Sequence, residues 1–384
     1  MLNNKQQSRK IRTSLACLVA IFTLIYGEYV FAGPQLIRAV ESNDIQRIKS
    51  LLKQKVNIDD QDNNGKTALI HAVEKGNIEI IRELINYGKL QSALKVTTQG
   101  LSYADLNKQD NNGWTALMYA VENGNKEIVK ILKNVTANAN LQNKQMKTAL
   151  MIAVEKENLD LVNLLVDEKV QIKGKRGRSG KIISTELKIL DSTANPDIPD
   201  KNGKTALILA VEKGNLEIIK KLASYSKELN HEDKTGWTAL LLAVANENEE
   251  VVEILLKNKA GIDIQNNQGQ SPLMLAVSKG NVNLVNLLIE KGADVNARDN
   301  DDKTALMFAA SSGKEDIVRS LLEKKKKKSV IKKMASKITR KKEEGVDIDA
   351  KDKDGKTALD YAKEAGHTEV VEMLKVAAEA KKKK

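Results

Sequence analysis

Read for apolar and polar positions, residues 68–85 (ALIHAVEKGNIEIIRELI) hold two short helices back to back. In the first, Ala68, Leu69, Ala72 and Val73 gather on one side; in the second, Ile78, Ile81, Leu84 and Ile85 recur at helical spacing. Gly76 stands between the two, where a left-handed residue can close a helix. Ahead of the pair, Asn63, Asn64 and Gly65 make a turn segment, and Thr67 stands where its hydroxyl can cap free N–H groups.

The pattern recurs along the chain. NGKTALIHAVEKG at 64–76 returns as NGWTALMYAVENG at 112–124 and as NGKTALILAVEKG at 202–214. Aligned on the TAL triplet, copies begin at Thr67, Thr115, Thr148, Thr205, Thr238, Thr304 and Thr357, with Ser271 of SPL in one further slot. Their spacings of 48, 33, 57, 33, 33, 33 and 53 residues define a 33-residue unit with insertions of 15, 24 and 20. A degenerate ninth copy, QLIRAVESNDIQRIKSLL, lies at 35–52, with Asn43 in the helix-closing slot. One helix pair cannot bury both its faces, so the copies must stack, which predicts an all-α solenoid of about nine helix-turn-helix repeats.

The unit resembles the ankyrin repeat, and KGADVNARDNDDKTALMFAASSGKEDIVRSLLEK (291–324) resembles its signature nearly throughout. The resemblance covers roughly 34–375 and implies antiparallel helix pairs with hairpin-like turns projecting from them. Two departures stand out. The T-P-L-H of the family is here T-A-L followed by Ile, Met or Leu, so the histidine that would bond the threonine is missing. Glu157 and Glu247 occupy a slot that six copies fill with Gly, and Met146 and Asp302 replace the turn glycine. A left-handed conformation costs a non-Gly residue roughly 1–2 kcal/mol, so the copies holding Glu157 and Glu247 are expected to be locally weaker.

Residues 1–32 have the order of a secretory signal peptide: Lys5, Arg9, Lys10 and Arg12, then the apolar run Leu15–Tyr26, then Val30 and Ala32 before a cut. The run is too short for a membrane span of ~20 residues. The expectation is a secreted or periplasmic chain after cleavage near Ala32, with the repeat array over 33–375 and a basic tail at 376–384. Cys17 is the single cysteine and lies in the leader, so the body has no disulfide framework. The insertions map to 89–109, expected as an ordered loop; 171–199, Gly-, Lys- and Arg-rich; and 324–345, read as a basic amphipathic helix extending the one before it. Net charge is +12. Segments 171–199, 324–344 and 375–384 carry +3, +9 and +4, which leaves the rest of the mature chain near −7.

No nucleophile motif, phosphate loop or HExxH occurs, and carboxylates recur with the repeat as scaffold positions. His71, His231 and His367 are scattered, and the acidic turns at 299–302 and 352–355 lack the spacing of a calcium loop. No enzyme activity, cofactor or metal is therefore expected. The resemblance implies instead a scaffold that binds a partner protein through turn tips and the inner face of the first helices. On this chain those positions include Lys66, Asn112, Trp114, Lys204, Trp237, Gln270 and Lys303. The two tryptophans stand out because each follows a turn glycine where other copies have Lys or Gln; each either anchors a partner or packs on the adjacent turn. An alternative is a tether to polyanions or an acidic membrane surface through Lys324, Lys328, Lys332, Lys333, Lys337 and Arg340. A monomer is expected, and nucleic acid is not favoured. An export signal on such an array points by analogy to a host-directed factor of an intracellular bacterium.

Overall fold

The computed structural model describes residues 32–93, 105–135, 137–167, 193–323 and 345–382. Two compact units divide the chain, at 1–195 and 196–384. In the first, α1 (Ala32–Glu41) pairs with α2 (Ile45–Lys53), α3 (Ala68–Glu74) with α4 (Ile78–Ala93), α5 (Ala116–Glu122) with α6 (Lys126–Asn134), and α7 (Ala149–Glu155) with α8 (Leu159–Asp167). In the second, the pairs are α9 (Ala206–Lys213) with α10 (Leu216–Tyr225), α11 (Ala239–Ala245) with α12 (Glu249–Lys257), and α13 (Pro272–Lys279) with α14 (Val282–Lys291). They continue with α15 (Ala305–Ser311) and α16 (Glu315–Leu322), then α17 (Ala358–Glu364) and α18 (Thr368–Lys382). The all-α expectation holds: among the described residues the only extended pairing is an isolated bridge between Gln61 and Thr67.

The odd-numbered helices form the inner row and stack on their neighbours within each unit; in the second unit the outer helices do the same. Within a unit, an inner helix that has a neighbour on each side is therefore enclosed by its own partner and by two repeats. Burial follows: α3 buries Ala68, Leu69, Ile70, Ala72 and Val73, one residue beyond the stripe read from the sequence. In α4 the buried set is Ile80, Ile81, Leu84 and Ile85, while Ile78, in the first turn, sits half-buried at the rim. Each such aliphatic side chain removed from water contributes about 1.5–3 kcal/mol.

The predicted caps form. Ile70 N donates to Thr67 Oγ1 at 3.3 Å, Met118 N to Thr115 Oγ1 at 3.2 Å, and Leu241 N to Thr238 Oγ1 at 3.2 Å. Thr304 departs from the pattern, its buried hydroxyl having no partner among the described residues. Asparagine caps most outer helices, as where Ile128 N donates to Asn125 Oδ1 at 3.1 Å. Gly113 shows why the turn needs glycine: its φ is +78°, and a Cβ there would come within 2.9 Å of the Asn143 Cα in the neighbouring turn.

Of the insertions, 89–93 belong to the end of α4 rather than to a loop, and α16 closes at Leu322. Residues 324–344, like 1–31 of the leader, lie outside the described residues. At the root of the second insertion, Ala194 N donates to Leu165 O at 3.0 Å, the same bond that Ala260 makes with Leu255 and Ala293 with Leu288. The root is also held by Lys133, a fully buried lysine in an outer-helix slot that all other copies but the last fill with apolar residues. Its ammonium donates to Leu164 O and, at 3.1 Å, to Leu165 O, at the carboxyl end of α8 where a cation is favoured.

Left-handed residues fall where the sequence placed them: Asn43 (φ 56°), Met146 (φ 58°), Glu157 (φ 52°), Glu247 (φ 55°) and Asp302 (φ 63°). Lys55 (φ 59°) and Lys259 (φ 73°), beyond α2 and α12, are two that it did not reveal. Glu157→Gly and Glu247→Gly should each raise the melting temperature by about 1–3 °C, the relieved strain being partly offset by the entropy of glycine in the unfolded chain. Thermal melts of the two variants check this, and a fall in both would reject the strain argument.

Candidate functional site

Each turn tip is built on one acceptor. Asp62 Oδ1 receives the N–H groups of Asn64 and Lys66 at 2.9 and 2.8 Å. Asp110, Asn143, Asp200, Asp233, Asn266, Asp299 and Asp352 repeat the arrangement, each holding the N–H groups two and four residues on. Adjacent tips are then tied by backbone bonds, such as Lys144 N to Asn112 O at 3.0 Å in the first unit and Lys234 N to Asn202 O at 3.0 Å in the second.

The second oxygen of that acceptor reads the inner helix. Asp62 Oδ2 meets His71 Nε2 at 2.9 Å, and the hydroxyls of Tyr119 and Tyr361 donate to Asp110 and Asp352 at 2.6 and 2.5 Å. Burial opposes ionisation of Asp62, but hydrogen bonds from Lys66, His71 and Asn64 outweigh it and hold the carboxyl below its ordinary range. At Asp352 the Tyr361 hydroxyl is the main cause of a shift in the same direction. Burial, followed by the bond to the aspartate, pushes both phenols up. Where the inner helix offers Ile152 instead, the Asn143 amide nitrogen is left buried with no partner among the described residues. The other two histidines also brace turns: His231 Nε2 lies 3.0 Å from Gly203 O and His367 Nε2 3.1 Å from Ser311 O.

The residue before each capping Thr or Ser overhangs the inner helix, and there the copies diverge. In four of them a lysine bonds a glutamate eight residues on: Lys66 with Glu74 at 2.6 Å, Lys147 with Glu155 at 2.6 Å, Lys204 with Glu212, and Lys356 with Glu364 at 2.7 Å. Such partly exposed pairs contribute at most ~1 kcal/mol each, so their interest is spatial: they cover the inner helix. In the second unit the clasp is missing from three successive copies, which read Trp237 with Ala245, Gln270 with Ser278, and Lys303 with Ser311. Beneath these positions the inner helices present Leu242, Leu275 and Phe308.

The sequence-derived residues thus fall into separate settings. Lys66 is tied to Glu74 and lies 5.0 Å over the Tyr119 ring. Trp114 packs on the same ring, centroids 5.2 Å apart, a ring carried by the inner helix of its own repeat and not by the adjacent turn. Glu122, without a lysine opposite, pairs with Lys156 at 2.5 Å. Asn112 is exposed on its tip. Trp237 has no such aromatic neighbour among the described residues and lines an open cavity of about 440 Å³ with Lys204, Glu212, Asp233, Leu242 and Ala245. Lys204 and Trp237 therefore share a site. Gln270 accepts from Asn266 Nδ2 at 3.1 Å, and Lys303 stands 4.0 Å from Asp301 and 5.9 Å over the Tyr361 ring. Lys324, Lys328, Lys332, Lys333, Lys337 and Arg340 lie outside the described residues.

The glutamate of the clasp and the inner-helix residue beneath it were not singled out from the sequence. An eight-residue Lys–Glu spacing, seen in some copies and lost in others, was the available signal. The slot after TAL also holds an exception: it is Asp360 in the last copy, whose carboxylate accepts from Thr357 N at 3.0 Å and from its hydroxyl at 2.7 Å, in the role the missing histidine would fill.

Stacked helix pairs with tied tips define a helical-repeat protein. A profile described as "Ankyrin repeats (3 copies)" matches residues 36–103, 90–176, 181–267 and 258–333, and the chain belongs to the ankyrin-repeat family. Among solved structures it is similar to the ankyrin repeat domain of Bcl-3, titled a unique member of the IkappaB protein family, at 26% identity and a TM-score of 0.53, covering 69% of this chain and 99% of that one. No curated protein matches. Ankyrin repeats are generally protein–protein interaction modules. Among the described residues there is no cluster suited to a metal ion, and no helix long and apolar enough to cross a membrane.

Asp352 supplies a test of the tip. Its carboxyl titrates below the unfolded value of 3.8, so the stability it contributes is complete above that value and is lost as pH falls through the folded pKa. Tyr361→Phe removes the main cause and should move the Asp352 titration upward in a carboxyl-detected NMR experiment. An unmoved titration would show that the phenol does not hold this carboxylate.

Proposed function

We propose that the chain is a non-enzymatic scaffold that binds a partner protein along the inner face of its second unit, over α11, α13 and α15. The loss of the Lys–Glu clasp from three successive copies, with a cavity opening beside Trp237, carries this reading. Protein-binding surfaces favour a large aromatic in a partly enclosed apolar site ringed by polar groups, and Trp237 stands in such a setting. Trp114, packed on Tyr119, is assigned to structure. With the export signal read at 1–32, the proposal is of a binding protein acting outside the cytoplasm that made it, and a host-directed role is its extension by analogy.

The expected outcome is specific to one tryptophan. In pull-downs with residues 33–384, Trp237→Ala should reduce partner capture at least tenfold, while Trp114→Ala and deletion of 324–342 should leave it intact at high salt. Capture that persists in Trp237→Ala but collapses with that deletion and with salt would make the basic segment the binding element instead.

A further inference from the structure

The copy that holds Trp114 surrounds a phenol with its own side chains. The Tyr119 hydroxyl donates to Asp110 Oδ2 at 2.6 Å, and Trp114 packs on the ring with centroids 5.2 Å apart. Lys66 of the preceding copy, tied to Glu74, lies 5.0 Å over the same ring. The last copy repeats the device: Tyr361 donates to Asp352 at 2.5 Å, with Lys303 of the copy before it 5.9 Å over the ring. The copy that holds Trp237 has the same surroundings. Lys204, Glu212, Asp233 and Trp237 occupy the positions of Lys66, Glu74, Asp110 and Trp114, and all four line the cavity. The tips also agree. Trp237 N donates to Asp233 Oδ1 at 3.0 Å, as Trp114 N does to Asp110 Oδ1 at 2.8 Å, and Gly236 and Gly113 share a φ of +78°.

What differs is the inner helix. Leu242 stands where Tyr119 does, and Ala245 where Glu122 does. Leucine offers no donor, so the bonds Asp233 accepts on its side chain all go to Oδ1, and Oδ2 accepts none among the described residues. On the reading that this face binds protein, we infer that the cavity receives a tyrosine side chain of the partner, its ring against Trp237 and its hydroxyl donating to Asp233 Oδ2. A phenol meets both features of the site. Its ring covers Leu242 and Ala245 and pairs with the indole, and its hydroxyl makes a charge-assisted bond to the carboxylate. A phenylalanine would cover that oxygen without a donor and leave it desolvated and unpaired. The charges that line the cavity balance, Lys204 against Glu212 and Lys234 beside Asp233, which favours a neutral side chain over a charged one.

A random dodecapeptide library displayed on phage and panned against residues 33–384 tests this. Enriched sequences should share a tyrosine, and a synthetic peptide of that consensus should lose at least tenfold in affinity when its tyrosine is replaced by phenylalanine. Asp233→Asn keeps the tip, since Asn143 and Asn266 hold theirs through Oδ1, but puts an amide nitrogen in place of Oδ2. It should weaken the tyrosine peptide about tenfold and leave the phenylalanine peptide unchanged. Leu242→Tyr supplies the phenol from within, as two other copies do, and is compatible with folding for that reason. It should abolish binding of both peptides without lowering the melting temperature. Enrichment without tyrosine, no enrichment at all, or affinity indifferent to the phenylalanine replacement and to Asp233→Asn would overturn the phenol inference. Peptides of that kind that still lose affinity on Trp237→Ala would leave this face as the binding surface. Peptides that bind Trp237→Ala as tightly as the native chain would sink both.

Discussion

Each of the eight turn tips depends on a single acceptor, the Oδ1 atom of the Asp or Asn that opens it. By taking the N–H groups two and four residues on, it closes the tip into a fixed shape without help from a strand partner. A fixed tip can approach the next one closely enough for backbone bonds, which is why a Cβ on Gly113 would collide with Asn143. It also aims the residue before the capping Thr across the inner helix. Stacking, glycine usage and the exposed face all follow from that one carboxylate or amide.

The repeats then share a scaffold but not a surface. Where Lys and Glu join across the inner helix, the helix is covered and the charges cancel. Where Trp114 replaces the lysine, Tyr119 provides an aromatic ring for it and the glutamate turns to the next repeat. Where Trp237 replaces it, Leu242 and Ala245 provide neither ring nor carboxylate, and a cavity opens. The same substitution in two copies has opposite consequences because of the residue five or eight places further on.

Much of the fold was legible because repetition averages out local ambiguity. The threonine caps, the closing glycines and even the strained Glu157 and Glu247 were readable, since a slot filled alike in most copies exposes the copy that differs. Lys55 and Lys259 were not, because the outer-helix ends vary too much for a slot to be recognised. Lys133 was hidden for another reason: a lysine in a helical pattern reads as solvated, and only the packed chain shows it buried against the carbonyls of the next repeat.

By itself the sequence determined the 33-residue unit, its helix pair, the number of copies and the residues that cap and close each helix, all of which depend on neighbours in the chain. Which tryptophan is packed and which lines a cavity was decided only by tertiary structure. That choice turns on contacts across the tip and the inner helix, where a ring or a carboxylate is present or missing at a distance in space that the order of residues does not express.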